Sequence, residues 1–445
     1  MTCLALTTGG PDLTVSALMA GERPWSVADG NLTVSDAFLG LLTDLVSASA
    51  EQQSELRDRH DRVPAGANAL VLAGQERDLL LQQVAADFRD AVIRAAGSRP
   101  MRVLAPWPDG HRWAAGLSHD LDVVDWWPLF TGLRLTELIR HRDPGRILKT
   151  LGAAMTSMPG DPVLQGITTL LEQGARIGAP STWFVLCGTP TPATFAAGDL
   201  TWNPEGRRAR AIYSQLVAAG HEIGLHGSFE TSRRPAAFAE QRARLAQLTG
   251  ETARGVRQHF VKLRPGVTHL EMSGAGFEYD ATMGFSDRNG FRLGVADVVP
   301  CWSHAEQTAK GPDLIPFAWM DRTLSKYSGV ERPGAWIEDG LELAARCREA
   351  EGMWAGIWHP NLVPPLGFPG APQAYAALLD GLAGERPWFA THAEICDWRR
   401  ARRSARAVAI DAAGTVVAQA PGSVGGELRL ELPGKTPLEV VSRTR

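Results

Sequence analysis

Acids and histidines fall at the ends of two short apolar runs, Gly116-Leu117-Ser118-His119-Asp120-Leu121-Asp122 and Gly220-His221-Glu222-Ile223-Gly224-Leu225-His226-Gly227-Ser228-Phe229-Glu230. An α/β enzyme gathers its reactive groups where buried strands stop, at the carboxyl edge of the sheet. Residues two apart on a strand share a face, so Asp120 and Asp122 converge while Leu121 turns away. Two such carboxylates repel, and a bound cation relieves the repulsion. One of them then holds metal while the other acts as a base. Acidic pairs also cap turns or meet arginines, and the pair by itself does not choose between these roles. His226 and Glu230, four apart, offer a neutral nitrogen and a charged oxygen at a spacing that suits one ion. His221 opens its strand instead of ending it, which predicts a buried, hydrogen-bonded histidine.

Those groups need elements to hold them. Within residues 101–403, short apolar strands are predicted at 113–119, 182–188, 222–226, 255–263, 279–285, 314–319 and 353–359. Helical periodicity runs between them, at 163–177, 207–219, 235–248, 336–350 and 372–383. Seven strands alternating with helices predict a parallel α/β sheet, and closure into a distorted seven-stranded (β/α) barrel is the simplest way to bury every strand. Residues 1–100 read as an N-terminal accessory region, helical at 35–47 and 75–96, with no catalytic spacing. Residues 404–445 read as a small β appendage with strands at 408–410, 415–418, 427–432 and 438–441.

Composition narrows the classes of function. A chain of 445 residues exceeds one ordinary core and fits a large domain of about 250–300 residues with appendages. A net charge of -4, with one basic stretch at 399–406 that reads as a solvated helix end, gives no support for a nucleic-acid partner. No run reaches the roughly 18–20 apolar residues of a membrane span, and the first residues lack a basic-then-apolar leader, so the expected location is the cytoplasm. The five cysteines are scattered and never in a C-x-x-C pair, which argues against a disulfide framework or a zinc ribbon.

Residues 117–122, Ser181-Thr182-Trp183-Phe184-Val185 and residues 220–226 together resemble the polysaccharide deacetylases of carbohydrate esterase family 4, in the branch whose first motif is Asp-x-Asp. The likeness continues through Gly255-Val256-Arg257-Gln258-His259-Phe260, Phe277-Glu278-Tyr279-Asp280-Ala281-Thr282 and Gly356-Ile357-Trp358-His359. The resemblance implies that Asp120 is the general base, Asp122 and His226 are metal ligands, Arg257 orients Asp120, and His359 is the general acid. Glu230 stands where the family has its second metal histidine. Asp122, His226 and Glu230 remain a possible set for zinc, for manganese or for another divalent ion, but a harder and more anionic one. His259, two residues beyond Arg257, offers a replacement nitrogen if its strand turns it inward. Loss of the metal altogether is the other outcome.

The function expected from the resemblance is metal-dependent hydrolysis of an N-acetyl group, or of a related C–N amide, on a glycan or glycan precursor. A non-catalytic carbohydrate-binding pseudoenzyme of polysaccharide assembly is one alternative, and a glycoside hydrolase using Asp120 or Asp122 with Glu230 is another. Without the resemblance, Arg257 reads equally as an ordinary salt bridge and His359 as a cap before Pro360. Trp126, Trp127, Trp183, Trp302 and Trp358 lie near predicted strand ends, where indole faces can stack on sugar rings, although the core claims the larger share of the 14 tryptophans. Asp321, which ends the run 316–321, is a further site candidate. His111, His141, His269, His304 and His392 read as surface or packing residues.

Overall fold

A computed structural model describes residues 5–7, 15–28, 31–96, 103–104, 106–158, 160–303, 306, 308–404, 406–410, 416–419 and 428–431. Its centre is a curled, largely parallel sheet of ten strands: β1 (Ala114–Leu121), β2 (Ser181–Leu186), β3 (Glu222–Gly227), β4 (Gly255–Gln258), β5 (Tyr279–Asp280), β6 (Val299–Ser303), β7 (Thr308–Leu314), β8 (Trp319–Met320), β9 (Met353–Ile357) and β10 (Trp388–Phe389). The order is β6-β7-β5-β4-β3-β2-β1-β9-β8, with β6 antiparallel to β7 and the other neighbours parallel. β10 pairs with Ala114 and Ala115, on the part of β1 that precedes its pairing with β2 at Leu117.

The predicted strand at 314–319 is resolved differently. Its first residue ends β7, its last begins β8, and Ile315–Ala318 crosses between the two ends of the sheet. Ile315 N donates to Asp280 O at one margin and Ala318 N to Ala355 O at the other. The barrel is therefore joined there by a crossing segment and not by strand pairing, because Pro316 has no N–H to donate to a ladder. The strands predicted at 255–263 and 279–285 are also cut short, and His259, Phe260 and Val261 beyond the first of them line a cavity.

Sequence periodicity accounts for the layers. In the helix Pro162–Arg176, Val163, Ile167, Leu170, Leu171 and Gly174 recur at three- and four-residue intervals and are buried, while Asp161 caps the first turn through the N–H groups of Val163 and Leu164. All eight residues of β1 are buried, as a central strand covered on both faces requires. Leu117 and Leu121 pack under the outer helices. Ala114 faces an inner cluster with Phe184, Tyr279, Phe317 and Ala355. The helix His392–Ser404 plugs the end of the barrel where the strands begin. Its His392 lies so close to Gly116 that a Cβ there would sit 2.9 Å from the imidazole Cδ2, and its Arg400 holds Asp313 and Glu278.

The N-terminal region packs directly on the barrel. Glu51 and Arg292 form an ion pair in which both side chains are buried, and Asn68 donates to Glu51 and to the Arg292 carbonyl. In the tail, Arg406–Ile410, Val416–Gln419 and Leu428–Glu431 form an antiparallel sheet that takes in Val103–Leu104. The strand predicted at 438–441 and His304 lie outside the described residues. Among the described residues, no helix is long and apolar enough to cross a membrane, and Cys187, Cys301, Cys347 and Cys396 are buried thiols.

Candidate active site

Where β1, β3, β4, β8 and β9 end, their last side chains meet in one cavity of about 290 Å³, lined among others by Asp120, Asp122, His226, His259 and His359. Asp120 is buried, and its Oδ1 receives Arg257 Nη1 at 2.7 Å. Arg257 is itself fully buried, over the Phe184 ring, and donates to Ser118 Oγ and to the Ala281 carbonyl. Burial opposes ionisation of Asp120, but Arg257, His226 and His359 outweigh it and hold the carboxyl below its ordinary range. Alternation along β1 places Asp122 beside it while Leu121 enters the outer core.

Three histidines point Nε2 into the mouth because Nδ1 of each is tied to an acceptor. His226 Nδ1 meets the Arg257 carbonyl at 2.9 Å, His259 Nδ1 meets Asp199 Oδ1 at 2.8 Å, and His359 Nδ1 meets Asp321 Oδ1 at 2.8 Å. A carbonyl or a carboxylate can only accept, so each Nδ1 carries hydrogen and Nε2 is left for chemistry. His226 Nε2 lies 3.3 Å, and His259 Nε2 3.6 Å, from Asp122 Oδ1. That oxygen is buried and accepts no hydrogen bond. Asp122, His226 and His259 together place one ligand atom each within 4.8 Å of one another.

This geometry revises the expected donor set. Glu230 lies outside the cluster: its side chain is 42% exposed and paired with Arg234 at 2.6 Å. The four-residue spacing would bring it to His226 only on a continuous helical turn. Instead His226 ends a strand, and the turn after Gly227 carries Glu230 to the surface. His259 opens the 3-10 turn His259–Val261 that follows β4, and its Nδ1 contact with Asp199 holds the ring in the cluster. Phe260 and Val261, immediately after it, both hold positive φ (58° and 56°), an unfavourable conformation for bulky side chains at the mouth of a site.

Other candidates separate in the same way. Asp321 stands behind His359, taking its backbone N–H at 2.6 Å as well as its ring N–H. Burial alone would lower the His359 pKa, yet Asp321, Asp122 and Asp120 push it up to about 9. Trp358 is a core residue and not a wall of the cavity: it is buried, stacks on Trp319, packs on Tyr375, and its carbonyl binds His119. Trp127 and Trp183 are likewise buried, and Trp126, although exposed, does not line the cavity. The aromatic lining comes from Phe130, Phe260 and Tyr327. His221 accepts from the Ser181 N–H beside the start of β2, and His269 and His392 are buried. Asp199 carried no sequence signal, since it lies in a loop whose contact with His259 is made only by folding. Arg62 brings the N-terminal region into the lining by donating to the Phe260 carbonyl. A larger cleft of about 970 Å³, lined in part by Arg23, Asp78, Arg346 and Glu351, holds no cluster of metal donors among the described residues.

No protein-family model matches the chain, and neither does any curated protein. Among solved structures, it is similar to a Mycobacterium smegmatis protein assigned to the polysaccharide deacetylases, at 20% identity over 69% of this chain and 95% of that one, with a TM-score of 0.44. It is also similar to the Puue allantoinase, at 18% identity over 68% and 94%, with a TM-score of 0.43. A Pseudomonas aeruginosa PAO1 protein assigned to the polysaccharide deacetylases gives 18% identity over 68% and 96%, with a TM-score of 0.43. At these identities and scores the likeness says nothing of chemistry, which rests on this chain's own side chains.

Proposed function

We propose that the chain is a metal-dependent hydrolase of C–N amide bonds, removing an N-acetyl group from an amino sugar or a closely related amide. The observation that carries this reading is the convergence of an arginine-held carboxylate, three Nδ1-anchored histidines and the unsatisfied Asp122 Oδ1 on one cavity. Asp122, His226 and His259 fit a divalent ion. Two ligands bound tetrahedrally at about 2.0–2.1 Å stand roughly 3.4 Å apart, and Asp122 Oδ1 is 3.3 and 3.6 Å from the two imidazole nitrogens. Two nitrogens and one carboxylate suit zinc, with manganese the next choice. Asp199 and the Arg257 carbonyl would orient the two histidines from behind.

A bound divalent ion supplies Lewis acidity to the amide carbonyl and to water, which a base as weak as Asp120 requires. Asp120 takes the proton from the attacking water, held ionised and aimed by Arg257. His359 keeps Nδ1–H on Asp321 and delivers a proton from Nε2 to the leaving nitrogen, so that amide and water become carboxylate and amine. The glycoside-hydrolase alternative is disfavoured, because Glu230 stands apart from Asp120 and Asp122 and no carboxylate pair forms through it. The test is elemental analysis of the purified protein together with acetate release from N-acetylated sugars. About one divalent ion per chain and chelator-sensitive acetate release are expected; a metal-free protein that releases no acetate after zinc or manganese loading overturns the reading.

A further inference from the structure

The rim of the cavity carries cations as well as the acids of its floor. Arg322 lines it directly after Asp321, and its Nε–H is buried without a hydrogen-bond partner. Its guanidinium reaches Glu137 Oε1 only at 3.7 Å, while Glu137 Oε2 is held at 2.6 Å by Arg134; Asp321, which takes the Arg322 backbone N–H, and Glu331 act on it from further off. Lys326, one turn further on, lines the same cavity and lies over the rings of Phe260 and Tyr327. Among the described residues, no carboxylate comes within ion-pair distance of Lys326. Arg62 faces them from the N-terminal region, already neutralised by Asp58. The pKa of Arg322 is lowered by desolvation and by Arg134 against the pull of Glu137, Asp321 and Glu331, and that of Lys326, whose residue is exposed at the rim, is lowered with Arg322, Arg62 and Arg59 contributing and Tyr327 opposing. Arg322 and Lys326 thus stand together at the rim of a cavity whose carboxylates, Asp120 and Asp122, are engaged with Arg257 and the histidines, and side chains of this type bind oxyanions.

We infer that the substrate carries a carboxylate or phosphate group bound by Arg322 and Lys326 while its amide reaches Asp120 and His359, so that the chain acts on a small acidic N-acyl compound and not on a neutral polymer. This rests on the hydrolase reading for what the anion is attached to. The size of the cavity agrees: about 290 Å³ lies at the lower limit of the roughly 300–1,000 Å³ usual for small-molecule sites.

The test is calorimetric titration of the full-length protein with inorganic phosphate and, separately, with malonate. Saturable one-to-one binding of either is expected, weakened roughly ten- to hundredfold in Lys326→Met and in Arg322→Gln and restored in Lys326→Arg. His226→Ala, which removes a proposed metal ligand, should leave this binding in place. Absence of saturable binding, or binding indifferent to Lys326→Met and Arg322→Gln, overturns the inference. So does binding lost in His226→Ala alone, which would put the anion on a metal and support the hydrolase reading. Anion binding at Lys326 with no acetate release from any amide would remove the hydrolase reading and leave the anion site standing.

Discussion

Asp321 takes both the backbone N–H and the ring Nδ1–H of His359, at 2.6 and 2.8 Å. One carboxylate thereby fixes where the imidazole sits and which nitrogen carries the mobile proton. Asp321, with Asp122 and Asp120, pushes the His359 pKa up and favours the imidazolium, so activity should fall as pH rises on the alkaline side. Asp321→Asn removes the anion that favours the charged form. The alkaline limb of kcat/KM should move to lower pH, and kcat should drop roughly 10- to 100-fold. A rate profile with an unmoved limb would separate Asp321 from the acid.

Metal content should track the structural donor set and not the spacing in the sequence. His259→Ala and Asp122→Asn are expected to lose the bound ion, and Glu230→Ala to keep it, in elemental analysis of each purified variant. Asp199→Asn should weaken metal binding by about 10- to 100-fold, because it frees the His259 ring.

Arg257 and Asp120 are buried together, so removing one partner strands the other's charge. Arg257→Met should cost about 3–5 kcal/mol of stability, read by chemical denaturation. Asp120→Asn keeps the shape but leaves the buried Arg257 cation unpaired, so it should cost a comparable amount of stability while lowering acetate release by about 10²- to 10⁴-fold. Little loss of stability in either variant would contradict the buried-charge account.

Outside the site, His269 and Asp280 form a buried pair, with imidazole Nε2 3.3 Å from the carboxylate. Burial opposes the charge on His269, but Asp280 and Cys301 push its pKa up to about 9 from an ordinary 6.5. The folded state then binds more protons than the unfolded one between these values, so stability falls as pH rises. A contribution on the order of 3 kcal/mol, fully present below pH about 6.5, should be lost by pH about 9. His269→Gln should flatten denaturation midpoints across that window.

Gly116 tests the plug of the barrel. An added methyl would press on His392, with little room to move between Phe184 and Tyr279. Gly116→Ala should destabilise the fold by about 1–3 kcal/mol, with the thermal midpoint as the measurement.

Much of the site was legible in short motifs because strands obey a two-residue rule. Once β1 is known to end near residue 121, Asp120 and Asp122 share a face, whereas His259 lies just past the end of β4, in a 3-10 turn that the strand rule does not reach. Period-3.6 apolar spacing likewise marks the helix at Pro162–Arg176 within a residue at each end. Glu230 escapes the rule because its placement depends on the backbone path beyond the end of β3, where a turn and a helix are equally compatible with a four-residue spacing.

The sequence by itself determined the alternation of strands and helices, the acids and histidines at strand ends, and the resemblance those residues carry. Only the tertiary structure decided that His259 and not Glu230 joins Asp122 and His226, that Asp199 and Asp321 stand behind the histidines, and that Arg322 and Lys326 rim the cavity. The physical reason is the range of the interactions. Periodicity and strand alternation are local and can be read along the chain, whereas Asp199 lies 60 residues from His259 and Asp321 lies 38 from His359, and only folding brings them within a hydrogen bond.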